Sequence, residues 1–108
     1  MEYHKKIFRY KVAVGAVNKK LRENIIVSGK PMTQEYLNND ILEKYNIVWN
    51  AGREESLPNT TIENIYLICD YFKIEIDFYF QFVKKITDEE INDSIKSKKK
   101  LSRLHSLL

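Results

Sequence analysis

A chain of 108 residues, 44% of them hydrophobic and with a net charge of +3, has room for one modest core and too many apolar and aromatic side chains for wholesale disorder. Its single cysteine, Cys69, excludes an internal disulfide framework and reads as a small buried hydrophobe among Ile and aromatic neighbours. No apolar run approaches the ~18 residues of a membrane span, and no signal-peptide pattern stands in the basic residues 1–30, so a reducing, cytoplasmic setting is expected.

The charge is unevenly spread. Residues 1–30 carry eight Lys/Arg against two Glu, residues 31–80 three against nine Asp/Glu, and residues 81–108 seven against four. An acidic middle therefore lies between two basic ends.

From Tyr3 to Leu21, the residues Tyr3, Ile7, Tyr10, Val14, Val17 and Leu21 recur at alternating spacings of four and three, which predicts a core-facing helix. Gly15 falls mid-stripe, where it costs about 1 kcal/mol against Ala. Ser28-Gly29-Lys30-Pro31 breaks the pattern. Thr33 offers an N-cap for a short helix with Tyr36 and Leu37 turned inward. A second short helix is expected within Glu43–Ala51, with Ile47, Val48 and Ala51 as its apolar face and its end near Gly52.

Arg53–Asn59 reads as a polar loop closed by Pro58. Thr60-x-x-Glu63 is a capping box ahead of a helical stripe of Ile62, Ile65, Ile68, Cys69 and Phe72. Asp77 is placed to cap a helix through Tyr79, Phe80 and Phe82, whose aromatic cluster suits a core or a dimer interface. Thr87-x-x-Glu90 opens a last amphipathic segment with Ile91, Ile95, Leu104 and Leu108, interrupted by Lys98-Lys99-Lys100. That lysine run is either solvated or a phosphate-binding tail. The expected architecture is all-helical, without a sheet.

Two stretches narrow the choice of fold. Thr33-Gln34-Glu35-Tyr36-Leu37 resembles the T-Q-E-x-L opening of the second helix in the Cro/lambda-repressor-like (XRE-type) helix-turn-helix family. Pro58 to Phe80, PNTTIENIYLICDYFKIEIDFYF, is similar to that family's closing half. Between the Leu21-Arg22 pair and Thr33 the chain is longer than the family's usual connection. The resemblance implies a compact five-helix helix-turn-helix domain over residues 1–85, with an extended N-terminal helix. Residues 86–108 would form a basic amphipathic helix or tail.

The resemblance also implies a recognition helix. On it, Tyr45, Asn46, Trp49 and Asn50 fall where family members meet base edges, while Val48 and Ala51 fall on the buried side. Asn can bond adenine in the major groove, and Tyr or Trp can pack on a thymine methyl. Gln34, Lys44, Arg53, Lys19 and Lys20 are then the candidate phosphate contacts. Taken on its own chemistry, Trp49 reads equally well as a core residue, and Asn46 and Asn50 as solvent positions.

The inventory for other chemistry is short. His4 and His105 stand near opposite ends, and neither is at ligand spacing from Cys69, so no metal site is expected. No histidine is placed for a hydrolase triad, and three glycines do not make a phosphate loop. Glu54-Glu55 and Asp88-Glu89-Glu90 are explained by loop exposure and helix capping. The expectation is no enzyme and no cofactor, but a DNA-binding transcriptional regulator that pairs as a homodimer on double-stranded DNA. The alternative is a helix-turn-helix-derived module (antitoxin, anti-repressor or adaptor) that binds a protein partner through its acidic middle.

Overall fold

The computed structural model describes residues 2–108. Within them the chain forms seven helices and one minimal hairpin: α1 (Glu2–Glu23), β1 (Ile26–Val27), β2 (Lys30–Pro31), α2 (Gln34–Tyr45), α3 (Ala51–Glu54), α4 (Ile62–Phe72), α5 (Ile76–Lys85), α6 (Asp88–Lys96) and α7 (Lys99–Ser106). The all-helical expectation holds except for the hairpin. No helix among the described residues is long and apolar enough to cross a membrane.

The central element is α1, which packs against α5 and α6. It buries Phe8, Val12, Ala13, Val14 and Val17, whereas Tyr3, Ile7 and Tyr10 stand exposed. The predicted stripe is thus correct from Val14 onward and displaced before it. Apolar residues on the first half of α1 occupy two adjacent faces. Phe8, whose ring lies 5.8 Å from that of His105 on α7, takes the buried one.

Gly15 does not break α1. A Cβ there would lie 3.0 Å from the backbone C and O of Glu55 and the O of Ser56. The glycine is what lets the 51–57 segment lie directly on the helix.

The break after α1 is an antiparallel pairing of Ile26 with Pro31 and Val27 with Lys30. Its two-residue turn has Ser28 and Gly29 both at positive φ, 53° and 81°, as a type I′ hairpin requires. The unusually long connection ahead of Thr33 is this hairpin. Thr33 then caps α2 as expected, its hydroxyl accepting from the Tyr36 N–H at 3.1 Å.

The expected helix within Glu43–Ala51 is not present. Instead α2 continues to Tyr45 and stops at Asn46, which adopts the left-handed conformation that Asn tolerates. Residues 47–50 are irregular, and α3 is a single turn capped by Asn50. Along Val48, Trp49, Asn50 and Ala51 the side chains alternate outward and inward, so Trp49 and Ala51 are buried while Val48 is exposed. Val48 therefore leaves the buried side assigned to it, and Ile47 is exposed too.

The cap of α4 lies one residue later than the Thr60-x-x-Glu63 box predicts: Thr61, not Thr60, accepts from the Asn64 N–H at 3.1 Å. On α4, Leu67, Ile68 and Cys69 are buried, but Ile62 projects into solvent. Glu75 rather than Asp77 precedes α5, without a side-chain capping bond. Tyr79 and Val83 are the buried residues of α5, and Phe78 and Phe80 are exposed. Thr87 caps α6 as predicted. Ile91, Ile95 and Leu101 bring α6 and α7 into the same core as α1.

Two effects oppose each other at Gly15. Alanine would gain about 1 kcal/mol of helix propensity, whereas overpacking against backbone costs about 1–3 kcal/mol. The contacts at 3.0 Å are with backbone that cannot swing away, so packing wins. Gly15→Ala is expected to lower stability and Gly15→Val to lower it further, as read by urea unfolding.

Candidate nucleic-acid interface

The candidate surface is built around Glu55. Arg22, from the last turn of α1, donates to both carboxylate oxygens, Nε to Oε2 at 2.7 Å and Nη2 to Oε1 at 2.8 Å. Its third nitrogen, Nη1, donates to the Met32 carbonyl at the end of the hairpin. Gln34 Nε2 donates to Glu55 Oε1 at 3.1 Å, and Lys98 Nζ reaches the Glu55 carbonyl at 3.4 Å. Three parts of the chain distant in sequence thus converge on Glu55, and Arg22 ties the hairpin to them.

Beside this pair, Asn18 Nδ2 donates to the Glu54 carbonyl at 2.8 Å, and the Tyr79 hydroxyl donates to Asn18 Oδ1 at 2.7 Å. Arg53 Nε donates to Glu54 Oε2 at 3.1 Å. Glu54 and Glu55 are both buried, so the polar loop read from the sequence is in fact docked on α1. Hydrogen bonding to Glu55 raises the Arg22 pKa above its ordinary value, outweighing desolvation. Burial raises that of Tyr79.

The nine sequence-assigned contacts separate into distinct groups. Gln34 and Asn50 come together: Gln34 Oε1 and Asn50 Oδ1 both lie within 4 Å of the position a Cβ on Gly52 would take. Asn50 Oδ1 accepts from the Arg53 N–H at 3.0 Å. All three side chains belong to exposed residues. Lys19 is exposed on α1, one residue beyond Asn18.

The other five lie elsewhere or are engaged differently. Trp49 is 6% exposed and belongs to the core, so it has no face to offer a groove. Its burial follows from the irregular 47–50 segment, which turns Trp49 inward and leaves Ile47, Val48 and Asn50 outside. Tyr45 is the last residue of α2, and its hydroxyl donates to Asp70 at 2.6 Å. Burial, and then that carboxylate, push its pKa up to about 12. Asn46 is the α2 C-cap. Lys44 pairs with Asp40 at 3.1 Å and lies over the Tyr71 ring, and Lys20 pairs with Glu90 at 2.7 Å. Tyr45, Asn46, Trp49 and Asn50 are therefore not side by side on a recognition helix.

The acidic middle is also partly spoken for. Tyr71 donates to Asp40 at 2.6 Å. That bond, aided by Lys44, holds the Asp40 carboxyl below its usual range. Asn38 Oδ1 accepts from the Ala51 N–H at 2.8 Å, fixing α3 against α2.

No protein-family model, curated protein or solved structure matches the chain. Sequence reasoning missed Arg22, Glu55 and Lys98 at this surface. The available signal was the Glu54-Glu55 pair, which loop exposure explains on sequence grounds, in a segment that also carries Leu57 and Pro58.

Breaking a buried ion pair from one side leaves an uncompensated charge and costs about 3–5 kcal/mol, while replacing both partners by apolar residues is often close to neutral. Arg22→Met and Glu55→Met are each expected to destabilise by that amount. The double variant should recover part of the loss. Denaturant unfolding of the three variants checks this, and strictly additive losses would contradict the pairing.

Proposed function

We propose that the chain is a sequence-specific DNA-binding regulator of the helix-turn-helix type, acting as a homodimer. The observation that carries the reading is the meeting of the Gln34 and Asn50 side chains beside the buried Glu55, with exposed Arg53 on the single turn that Asn50 caps. Amide and guanidinium groups are the side chains suited to purine edges: Gln and Asn to adenine, Arg to guanine. The Asn50 oxygen caps α3, leaving its Nδ2 as the donor for a purine N7. Base reading thus falls to Asn50 and Arg53 rather than to Tyr45, Asn46 and Trp49, with Lys19 addressing phosphate.

Electrostatics supports this more than the sequence suggests. Asp40 is turned toward Tyr71 and Lys44, and the two buried glutamates are matched by Arg22 and Arg53. The acidic composition of the middle segment therefore overstates the negative charge presented at the Gln34–Asn50 face. Dimerisation is supported by Tyr3, Ile7 and Tyr10, which stand off the core on one face of α1.

A second reading, a protein-binding module, is favoured by Val48, which is 84% exposed, with Ile47 exposed beside it. One experiment separates the two. Asn50→Ser keeps a capping oxygen and removes the amide, so it should lose about 1–3 kcal/mol on the preferred duplex and little on a scrambled one. Fluorescence anisotropy on both duplexes measures this. No duplex binding tighter than about 10⁻⁵ M at low salt would reject the DNA reading and favour the protein partner. Light scattering should give twice the 12.9 kDa chain mass at tens of micromolar protein; a mass of one chain there would remove the dimer.

A further inference from the structure

The C-terminal helices do more than complete the core. Lys98, at the junction of α6 and α7, is half-buried and reaches back 43 residues to the Glu55 carbonyl. The same glutamate accepts from Gln34 on the candidate base-reading face. The junction is therefore held at a fixed place relative to that face by a bond, not by a tether.

Charge bookkeeping around this point leaves a surplus. Arg22 already neutralises Glu55, and Arg53 pairs with Glu54. Lys98 and Lys19 add positive charge beyond these two pairs, and Glu55 offsets Lys98 by less than Lys19 repels it. They lie near enough for Lys19, after burial itself, to help depress the Lys98 pKa. Lys99 and Lys100 follow immediately and are exposed. On α1, Lys11 and Lys19 flank Gly15 by one helical turn each, on the face against which the 51–57 segment lies. The exposed carboxylate of Glu23, one turn beyond Lys19, is the nearest counterweight along that face of α1. Along this face of α1 and the α6–α7 junction, Lys11, Lys19, Lys98, Lys99 and Lys100 outnumber Glu23.

Like charges gathered at a cost in mutual repulsion are stabilised by a polyanion that bridges them. We propose that Lys19, Lys98, Lys99 and Lys100 form a second contact with double-stranded DNA, on the phosphates flanking the base pairs addressed by Asn50 and Arg53. This inference rests on the DNA-binding reading above and assigns the α6–α7 junction a part in it. The contact is blind to sequence. It supplies affinity and salt dependence, while the Gln34–Asn50–Arg53 face supplies discrimination.

Lys98 is partly structural, so the decisive variants leave it in place. Lys99→Gln/Lys100→Gln and Lys19→Gln alter exposed side chains and should leave thermal unfolding unchanged. Anisotropy titrations of the full chain on the preferred and a scrambled duplex, across a series of salt concentrations, give the slope of log affinity against log salt. Each lysine that meets a phosphate contributes about 0.9 to that slope. The Lys99/Lys100 double variant should flatten it by about 1.8 and Lys19→Gln by about 0.9, on both duplexes alike. The ratio of affinities for the two duplexes should be unchanged.

If the wild type binds DNA and these variants keep its full slope, the second contact is refuted and the base-reading face is left standing. If they change the ratio between duplexes instead, the lysines read sequence and the assignment to phosphate is wrong. A wild type that binds neither duplex overturns the DNA reading, and this inference with it.

Discussion

The ion pair between Arg22 and Glu55 is the constraint on which the other parts of the molecule depend. A guanidinium and a carboxylate withdrawn from water lose several kcal/mol of solvation each, and their attraction repays this only with good geometry and further hydrogen bonds. Both conditions are met. The pair is bidentate, and the leftover Arg22 nitrogen and one Glu55 oxygen find Met32 and Gln34. Net stabilisation from such a pair is small, but its directionality is not. It sets where the hairpin ends, where α2 begins and where the 51–57 segment lies on α1, in a way that apolar contact alone would leave loose.

Gly15 and Asn18 are the other half of that arrangement. Without a side chain at Gly15 the segment's backbone comes within contact distance of the helix. Its carbonyls would then be stranded away from water, so they need partners. Asn18 takes the Glu54 carbonyl and Lys98 the Glu55 carbonyl. Tyr79 in turn satisfies Asn18, which joins α5 to the same network. Close approach and polar satisfaction are thus two aspects of one docking event, and neither would be stable without the other.

Local signals were legible in the sequence, and long-range ones were not. Thr33 and Thr87 cap their helices as read because an N-cap bond spans three residues and needs nothing from the rest of the fold. Glu63 completes a box pattern with Thr60, whereas the structure starts the helix from the neighbouring Thr61 hydroxyl. The expected helix over Glu43–Ala51 failed for a different reason. Ile47, Val48 and Ala51 fit a helical face, yet left-handed Asn46 ends α2 there, and the following irregular residues expose Val48 and bury Trp49. Periodicity cannot distinguish those outcomes over so few residues. Arg22 and Glu55 are 33 positions apart, and no spacing rule links them. Of the candidate site, the residue types were legible, but which of them share a surface was decided by the docking on α1.

That origin of the site has a consequence for how stability and recognition are related. Gln34 is oriented by Glu55, Asn50 is committed to capping α3, and Arg53 is tethered to buried Glu54. Each of the three is thereby restrained before any ligand arrives, which reduces the ordering entropy that binding must overcome. The same restraints tie the face to the ion pair. A change at Arg22 or Glu55 disturbs the Gln34 side chain directly and the Lys98 contact through the Glu55 backbone. Perturbations of the core pair should therefore act on both proposed contacts together, whereas changes at Asn50 or at Lys99 and Lys100 act on one alone. In a chain this small, the proposed recognition surface is the outer side of its main internal anchor.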